Sequence, residues 1–259
     1  MQRMKGKKNL IYRNSLGQEV VFDNRLLFLE GIDMTGTAGI HTVESLAMTD
    51  GQTTISHQLG AKTIPCSFAV KCVGNVEWLK RRLEQVFTPK LEGVLTVITP
   101  FLRYEIDCYP QNVPTFKMAE NDCVYRFDVD FTADYPYWRV GDKKEYTFPA
   151  SGGVTIVSEC PFDLPVVVTF PENTGTSVYR NGNHGIYLSS ATHPPLRIHT
   201  QNFEVYTSVS NFGPWTRGGT RYLSPSEDLT KIEIKYGSNA FWSQEGVTMS
   251  YYELSLGEV

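Results

Sequence analysis

The feature that most constrains this chain is a period of two. In "YRFDVDFT", Tyr125, Phe127, Val129 and Phe131 alternate with Arg126, Asp128, Asp130 and Thr132. Successive side chains of a strand point to opposite faces, so the pattern describes a half-buried antiparallel strand with one wet face. The alternation returns in "TIPCSFAVKCV", where Ile64, Cys66, Phe68 and Val70 share a face, and again in "TTISHQLG". "GVLTVITP" and "YEIDCYP" are further strand segments, and "IYRNSLGQEVVF" reads as two short strands around a turn at Asn14–Gly17. Tyr, Phe, Thr and Val are plentiful, with Gly, Pro and Asn as punctuation, so the expected fold is mainly β.

One segment breaks the rule. In "NVEWLKRRLEQVFTPK", Val76, Leu79, Leu83 and Val86 recur at spacings of three and four, the mark of an amphipathic helix. Asn75 is placed to cap it, Glu77 favours its first turn and Pro89 stops it. At about three turns it must pack on a sheet to be stable.

Around "KKEYTFPASGGVTIVSECPFDLP" the pattern resets, and Ser151, Gly152 and Gly153 mark an expected domain boundary. The expected domains are therefore residues 1–150 and 151–259. The second is read as almost wholly β, from "LPVVVTF", "SVYRNGNHGIYLSS", "LRIHTQNFEVYTS", "TKIEIKYG" and "VTMSYYELSL". Strand-like runs separated by turns about every ten residues suggest a β-sandwich, and Asn181–Gly182 is a two-residue hairpin signal. A chain of 259 residues is long enough for two such cores.

Composition narrows the function. Net charge is −4, which argues against an electrostatic nucleic-acid binder, although Arg3, Lys5, Lys7, Lys8 and Arg13 make the N-terminus basic. Such an arm is either solvated or docked on an acidic partner surface. The N-terminus lacks the apolar run of about 7–15 residues that a signal peptide needs, and no segment approaches the roughly 20 apolar residues of a membrane span. Synthesis and folding in the cytoplasm, without membrane insertion, are expected. Cys66, Cys72, Cys108, Cys123 and Cys160 are odd in number and match no zinc spacing, so they read as small buried apolar residues.

Candidate chemistry is sparse. Asp128 and Asp130 would lie roughly 7 Å apart on one strand face, within reach of a divalent cation or a glycosidase carboxylate pair. Arg126 shares that face and can neutralise one of them, which makes it an ordinary solvated face. His41, His57, His184, His193 and His199 form neither H-E-x-x-H nor H-x-H. G-x-S-x-G and both glycine-rich phosphate motifs are absent. No catalytic, metal-binding or cofactor-binding residue is therefore assigned, and no cofactor is expected. "NFGPWTRGGTRYL" places Phe212, Trp215 and Tyr222 in a loop with Arg217 and Arg221. That loop can stack on a glycan, pack on its own domain, or form a protein interface.

The order of segments carries a resemblance. "LEQVFTPKLEGVLTV", then "CYPQNVPTF", then "YRFDVDFTADYPYW" resembles the siphovirus-type distal tail protein family. The matching features are Phe87, Pro89 and Lys90 after a short helix, Gly93 and Leu95 in the next strand, and Asp134, Pro136, Tyr137 and Trp138 closing a later one. Tyr135, between Asp134 and Pro136, is one residue more than the family spacing. "FDLPVVVTF" and "SEDLTKIEIKYG" look like the first core strand and a late segment of the family's C-terminal galectin-like sandwich. The match thus spans nearly the whole chain.

The resemblance implies an N-terminal β-sandwich or split-barrel domain with one short helix, followed by a galectin-like β-sandwich. It implies a structural hub and no enzyme. Six copies would form a ring at the distal end of a phage tail, tail tube on one side and tail-tip hub on the other, with the outer domains carrying receptor-binding or baseplate proteins. DNA would only pass through the lumen. A phage, a prophage or a tailocin would each fit. Two other classes remain open from the residues: a glycan-binding module using Trp215 and Tyr222, and a glycoside hydrolase using Asp128 and Asp130.

Overall fold

The structure is a computed structural model and describes residues 9–37, 39–45, 52–71, 76–118, 124–172, 178–181, 184–189, 193–210, 213–223, 232–243 and 246–257. Two units result. The first comprises Met1–Gly141 together with Ser255–Val259, and the second Asp142–Leu254. The fold is mainly β and antiparallel, with one α-helix among the described residues.

In the first unit, Glu19–Phe22, Asn9–Asn14, Gly93–Ile98 and Arg103–Pro110 lie side by side in that order. A second run places Leu27–Ile32, Lys62–Lys71 and Val124–Ala133 side by side, with Lys117–Met118 on the outer edge of the last. The predicted alternation meets itself across this pairing. Phe127 lies opposite Phe68, Val129 opposite Cys66 and Phe131 opposite Ile64, and all six are buried. The first turn is built as expected. The Asn14 carboxamide oxygen accepts from the Leu16 and Gln18 amides at 3.2 and 3.0 Å, which closes Asn9–Asn14 onto Glu19–Phe22.

Helix α1, Val76–Val86, presents Leu83 and Val86 to this core, with Leu79 half-buried against it. The Thr88 hydroxyl donates to the carbonyls of Glu84 and Gln85 and terminates the helix just before Pro89. Its expected cap, Asn75, lies outside the described residues. Phe87 follows the helix and is fully buried. Its ring sits 5.4 to 6.3 Å from those of Tyr12, Phe22, Phe68, Phe127 and Phe131. Aromatic pairs at such separations each add about 0.5–1.5 kcal/mol beyond the area they bury. Phe87, one of the residues that carried the resemblance, is therefore the centre of the core.

Gly93 has an equally physical reason. A Cβ there would stand 2.5 Å from the Arg13 carbonyl oxygen and 2.7 Å from the Tyr12 hydroxyl, so only glycine lets the two strands close over the tyrosine.

One element of this unit stands apart. Gly39–Ser45 and Gln52–Leu59 pair with each other as a two-stranded sheet, bulged between Thr42 and Val43.

Among the described residues, the second unit has two larger sheets and a short pair, Leu164–Pro165 with Glu233–Ile234. One sheet orders Thr216–Arg217, Glu204–Thr207, Leu196–His199, Val167–Phe170 and Thr248–Ser255, with the end of Trp138–Thr147 next in line. The other orders Gly152–Ser158, Gly237–Ser243, Val178–Asn181 and His184–Tyr187. Val168, Phe170, Leu196, Ile198, Val205 and Met249 of the first and Ile156, Ile186 and Phe241 of the second supply its core. The register closes the last hairpin on Asn181 and His184, one residue beyond the expected Asn181–Gly182 turn. The Ser151–Gly153 punctuation opens the Gly152–Ser158 strand.

Candidate functional site

The acidic strand is a braced surface. Arg126 donates through Nε to both carboxylate oxygens of Glu30, at 2.9 and 3.0 Å, and not to Asp128 or Asp130. The sequence could not reveal this partner, because Glu30 comes from Leu27–Ile32, two strands away in the sheet. Asp128 is exposed and Asp130 half-buried. Between them the strand edge is held by Asn112, which donates to the Asp128 carbonyl and accepts from the Asp130 amide, each at 2.9 Å. The Gln111 amide completes the edge by donating to the Asp130 carbonyl at 2.7 Å. Thr132, expected on the wet face, is buried instead, and its hydroxyl accepts from the Gln111 carboxamide. Among the described residues no three His, Cys, Asp or Glu side chains converge as a metal site.

The cysteines within the described residues, Cys66, Cys108 and Cys160, are free and buried. Burial pushes the Cys66 and Cys108 thiols well above their ordinary value. Thiolate, the reactive form, is thereby suppressed. Cys72 and Cys123 lie outside the described residues, as do Arg3, Lys5, Lys7 and Lys8 of the basic N-terminus.

Sequence reasoning missed a buried lysine. Lys62 shares the parity of Ile64, Cys66 and Phe68, so the period of two itself places it inward, and its side chain is fully buried. Its Nζ donates to the Leu256 carbonyl, which the chain brings back after completing the second unit. Burial pushes the ammonium down to about 8, against the pull of the Asp33 carboxylate. Asp33 is itself held below the ordinary carboxylate range by the Thr35 amide and hydroxyl, at 2.9 and 2.7 Å. Beside this anchor Gly257 passes so close to Met34 that a Cβ would lie 2.1 Å from its carbonyl oxygen. Trp138 Nε1 donates to that same carbonyl at 3.3 Å.

The aromatic loop of the second unit is spent largely on its own surface. Trp215 is half-buried beneath the Arg197 guanidinium, whose Cζ lies 4.2 Å from the ring centroid. Tyr222 is half-buried and accepts from Arg221 at 2.8 Å, and Arg217 pairs with Glu204 at 3.0 Å. Phe212 lies outside the described residues. Of the histidines, His193 is buried and His199 half-buried; the side chains of His41, His57 and His184 lie outside the described residues.

Exposed apolar side chains are numerous. In the first unit Phe101 is 85% exposed at the tip joining Gly93–Ile98 to Arg103–Pro110, and Trp78 is 65% exposed on α1. Trp is enriched among the residues that carry protein–protein binding energy. The Gly39–Ser45/Gln52–Leu59 hairpin is a separate element: among the described residues no third strand pairs with it.

Comparison with solved structures places this architecture. The chain is similar to the SPP1 Dit protein, described as a paradigm of the hub adsorption apparatus in phages infecting Gram-positive hosts. The TM-score is 0.66 at 12% identity, over 95% of this chain and 99% of that one. It is also similar to a chain of the phage P2 baseplate in its activated conformation with Ca, with a TM-score of 0.57 at 8% identity over 97% and 99% of the two chains. The same baseplate with Sr gives 0.54 at 8% identity. No family model matches the sequence, and no curated protein does. The fold of the SPP1 hub protein is thus reproduced along nearly the whole chain, although about nine residues in ten differ.

Proposed function

We propose that this chain is a structural hub protein at the distal end of a phage or phage-derived tail, joining the tail tube to the tail tip. The observation that carries the reading is the end-to-end fold similarity to the SPP1 hub protein, in which both units take part. Six copies form a ring through the first unit, and the second unit carries receptor-binding or baseplate proteins. The lumen passes DNA without binding it specifically. A face lined by Asp128, Asp130 and the Arg126–Glu30 pair suits such a wall, because acidic and internally paired groups repel or ignore phosphate.

The hairpin, which no third strand joins among the described residues, supports the assembly step. An isolated two-stranded hairpin is marginal in water, and exposed strand edges are templates for pairing with another chain. Head-to-tail contacts between identical subunits close into rings when the rotation permits. In this reading the hairpin is completed by the neighbouring copy.

The test is light scattering with negative-stain imaging, performed on the chain alone and with its tail-tube partner. A ring of six is expected in at least one of the two conditions. A chain that stays monomeric with the tube protein present would overturn the proposal.

A further inference from the structure

The geometry points to a binding site on the outer face of the second unit's larger sheet, for a saccharide that carries one anionic group, carboxylate or phosphate. This inference is independent of the hub reading and holds whether or not the chain assembles.

The register builds the site. Arg197 lies opposite Tyr206 on one side and Thr169 on the other, and Thr169 lies opposite Thr248. His199 lies opposite Glu204 and Val167, and Val167 opposite Ser250. Their strand neighbours Leu196, Ile198, Val205, Val168 and Met249 are buried, so this set faces outward. On these two adjacent strands Val167, Thr169 and Thr248 are half-buried and Ser250 is buried, which makes a shallow floor of small side chains roughly 10 Å wide across two strand spacings. Arg197 and His199 stand on one side of that floor. Lys143 and Glu145, paired at 3.3 Å, stand on the other. Both sides act on the same groups: Lys143 disfavours the charged form of His199, and Glu145 favours that of Arg197.

Arg197 is the recognition element. Trp215 fixes its plane from one face. Among the described residues its guanidinium donates no hydrogen bond, whereas Arg217 is already committed to Glu204. Glu204 is further held by the Asn202 carboxamide at 2.8 Å and by the Tyr206 hydroxyl. The planar fork of Arg197 matches carboxylate or phosphate in two parallel bonds. The cluster holds three cations, Arg197, Lys143 and Arg217, against the carboxylates of Glu145 and Glu204. It therefore leaves room for one negative charge.

The remaining groups suit hydroxyls. Burial, and then the Arg197 charge, lower the His199 imidazole below its ordinary value, so at neutral pH it offers one donor and one acceptor nitrogen. With the threonine hydroxyls of the floor, this recognises a polyol better than a bare anion.

The experiment titrates the full chain with glucuronic acid, glucose 6-phosphate, glucose and inorganic phosphate, read by calorimetry and by the His199 ring resonance. Saturable binding of at least one acidic sugar is expected, with a shifted His199 signal and at least tenfold weaker binding of glucose and of inorganic phosphate. Arg197→Gln should weaken it at least tenfold with an unchanged melting temperature, and Lys117→Gln on the first unit should leave it unaltered. Thr248→Gln fills the floor without touching Arg197 and should also abolish binding, which keeps the test decisive if Arg197→Gln fails to fold. Binding that survives Arg197→Gln and Thr248→Gln, equal affinity for phosphate and sugar phosphate, or no saturable binding of either acidic sugar would overturn the assignment.

Discussion

At the scale of single residues, Lys62 and Gly93 carry more structural information than the acidic pair. Lys62 binds its proton less tightly when folded, near 8 against an ordinary 10.5, so its contribution to stability increases as pH rises through 8 and levels off above 10.5. The Cys66 and Cys108 thiols act the other way, because the unfolded chain loses their protons first. The comparison must therefore be internal. The melting temperature of the wild type relative to Lys62→Met should increase between pH 7 and pH 10, and a flat difference would rule the effect out. Gly93→Ala should cost about 2 kcal/mol in urea unfolding, because its methyl collides with backbone and with the Tyr12 ring. Asp128→Asn should change stability by no more than about 0.5 kcal/mol, since the carboxylate is exposed and the Asn112 clamp uses only backbone at that position. The signal for Lys62 lies in its parity, since it is in step with Ile64, Cys66 and Phe68 on the buried face. The Arg126–Glu30 pair was not legible, because a contact across 96 positions is decided by sheet order and not by spacing.

At the scale of elements, Lys62–Lys71, Val124–Ala133 and α1 were read from their period, and their buried faces follow it with Thr132 as an exception, whereas Leu27–Ile32 and Gly39–Ser45 were not read as strands. Reading failed where side chains replace backbone in completing a strand. No pattern in "YPQNVP" announces that Asn112 will take the place of a partner strand along Asp128–Asp130. Asn112→Ala should therefore cost about 1 kcal/mol, the usual worth of such bonds, with protection at the Asp130 amide lost first in hydrogen exchange. The Gly39–Ser45/Gln52–Leu59 hairpin makes a second prediction. Its amides should exchange faster than those of Lys62–Lys71 in the isolated subunit and slow markedly on assembly. Rates that do not change in the assembled particle would exclude the hairpin from the interface.

At the scale of the molecule, the two units differ in how the chain closes them. The second is one continuous segment with its own core, so a fragment of residues 142–254 should melt cooperatively with a β-type circular dichroism spectrum. Composition marks Ser151–Gly153, whereas the division falls at Gly141–Asp142, inside the Trp138–Thr147 strand, where no residue pattern changes. The first unit is discontinuous: Lys62 takes its acceptor from Leu256, and Gly257 threads past Met34. On a ribosome, those closing residues emerge only after all of residues 142–254. The unit begun first is thus closed by residues made after the second, and a product terminated before Ser255 lacks both the Leu256 acceptor of Lys62 and the Gly257 passage beside Met34.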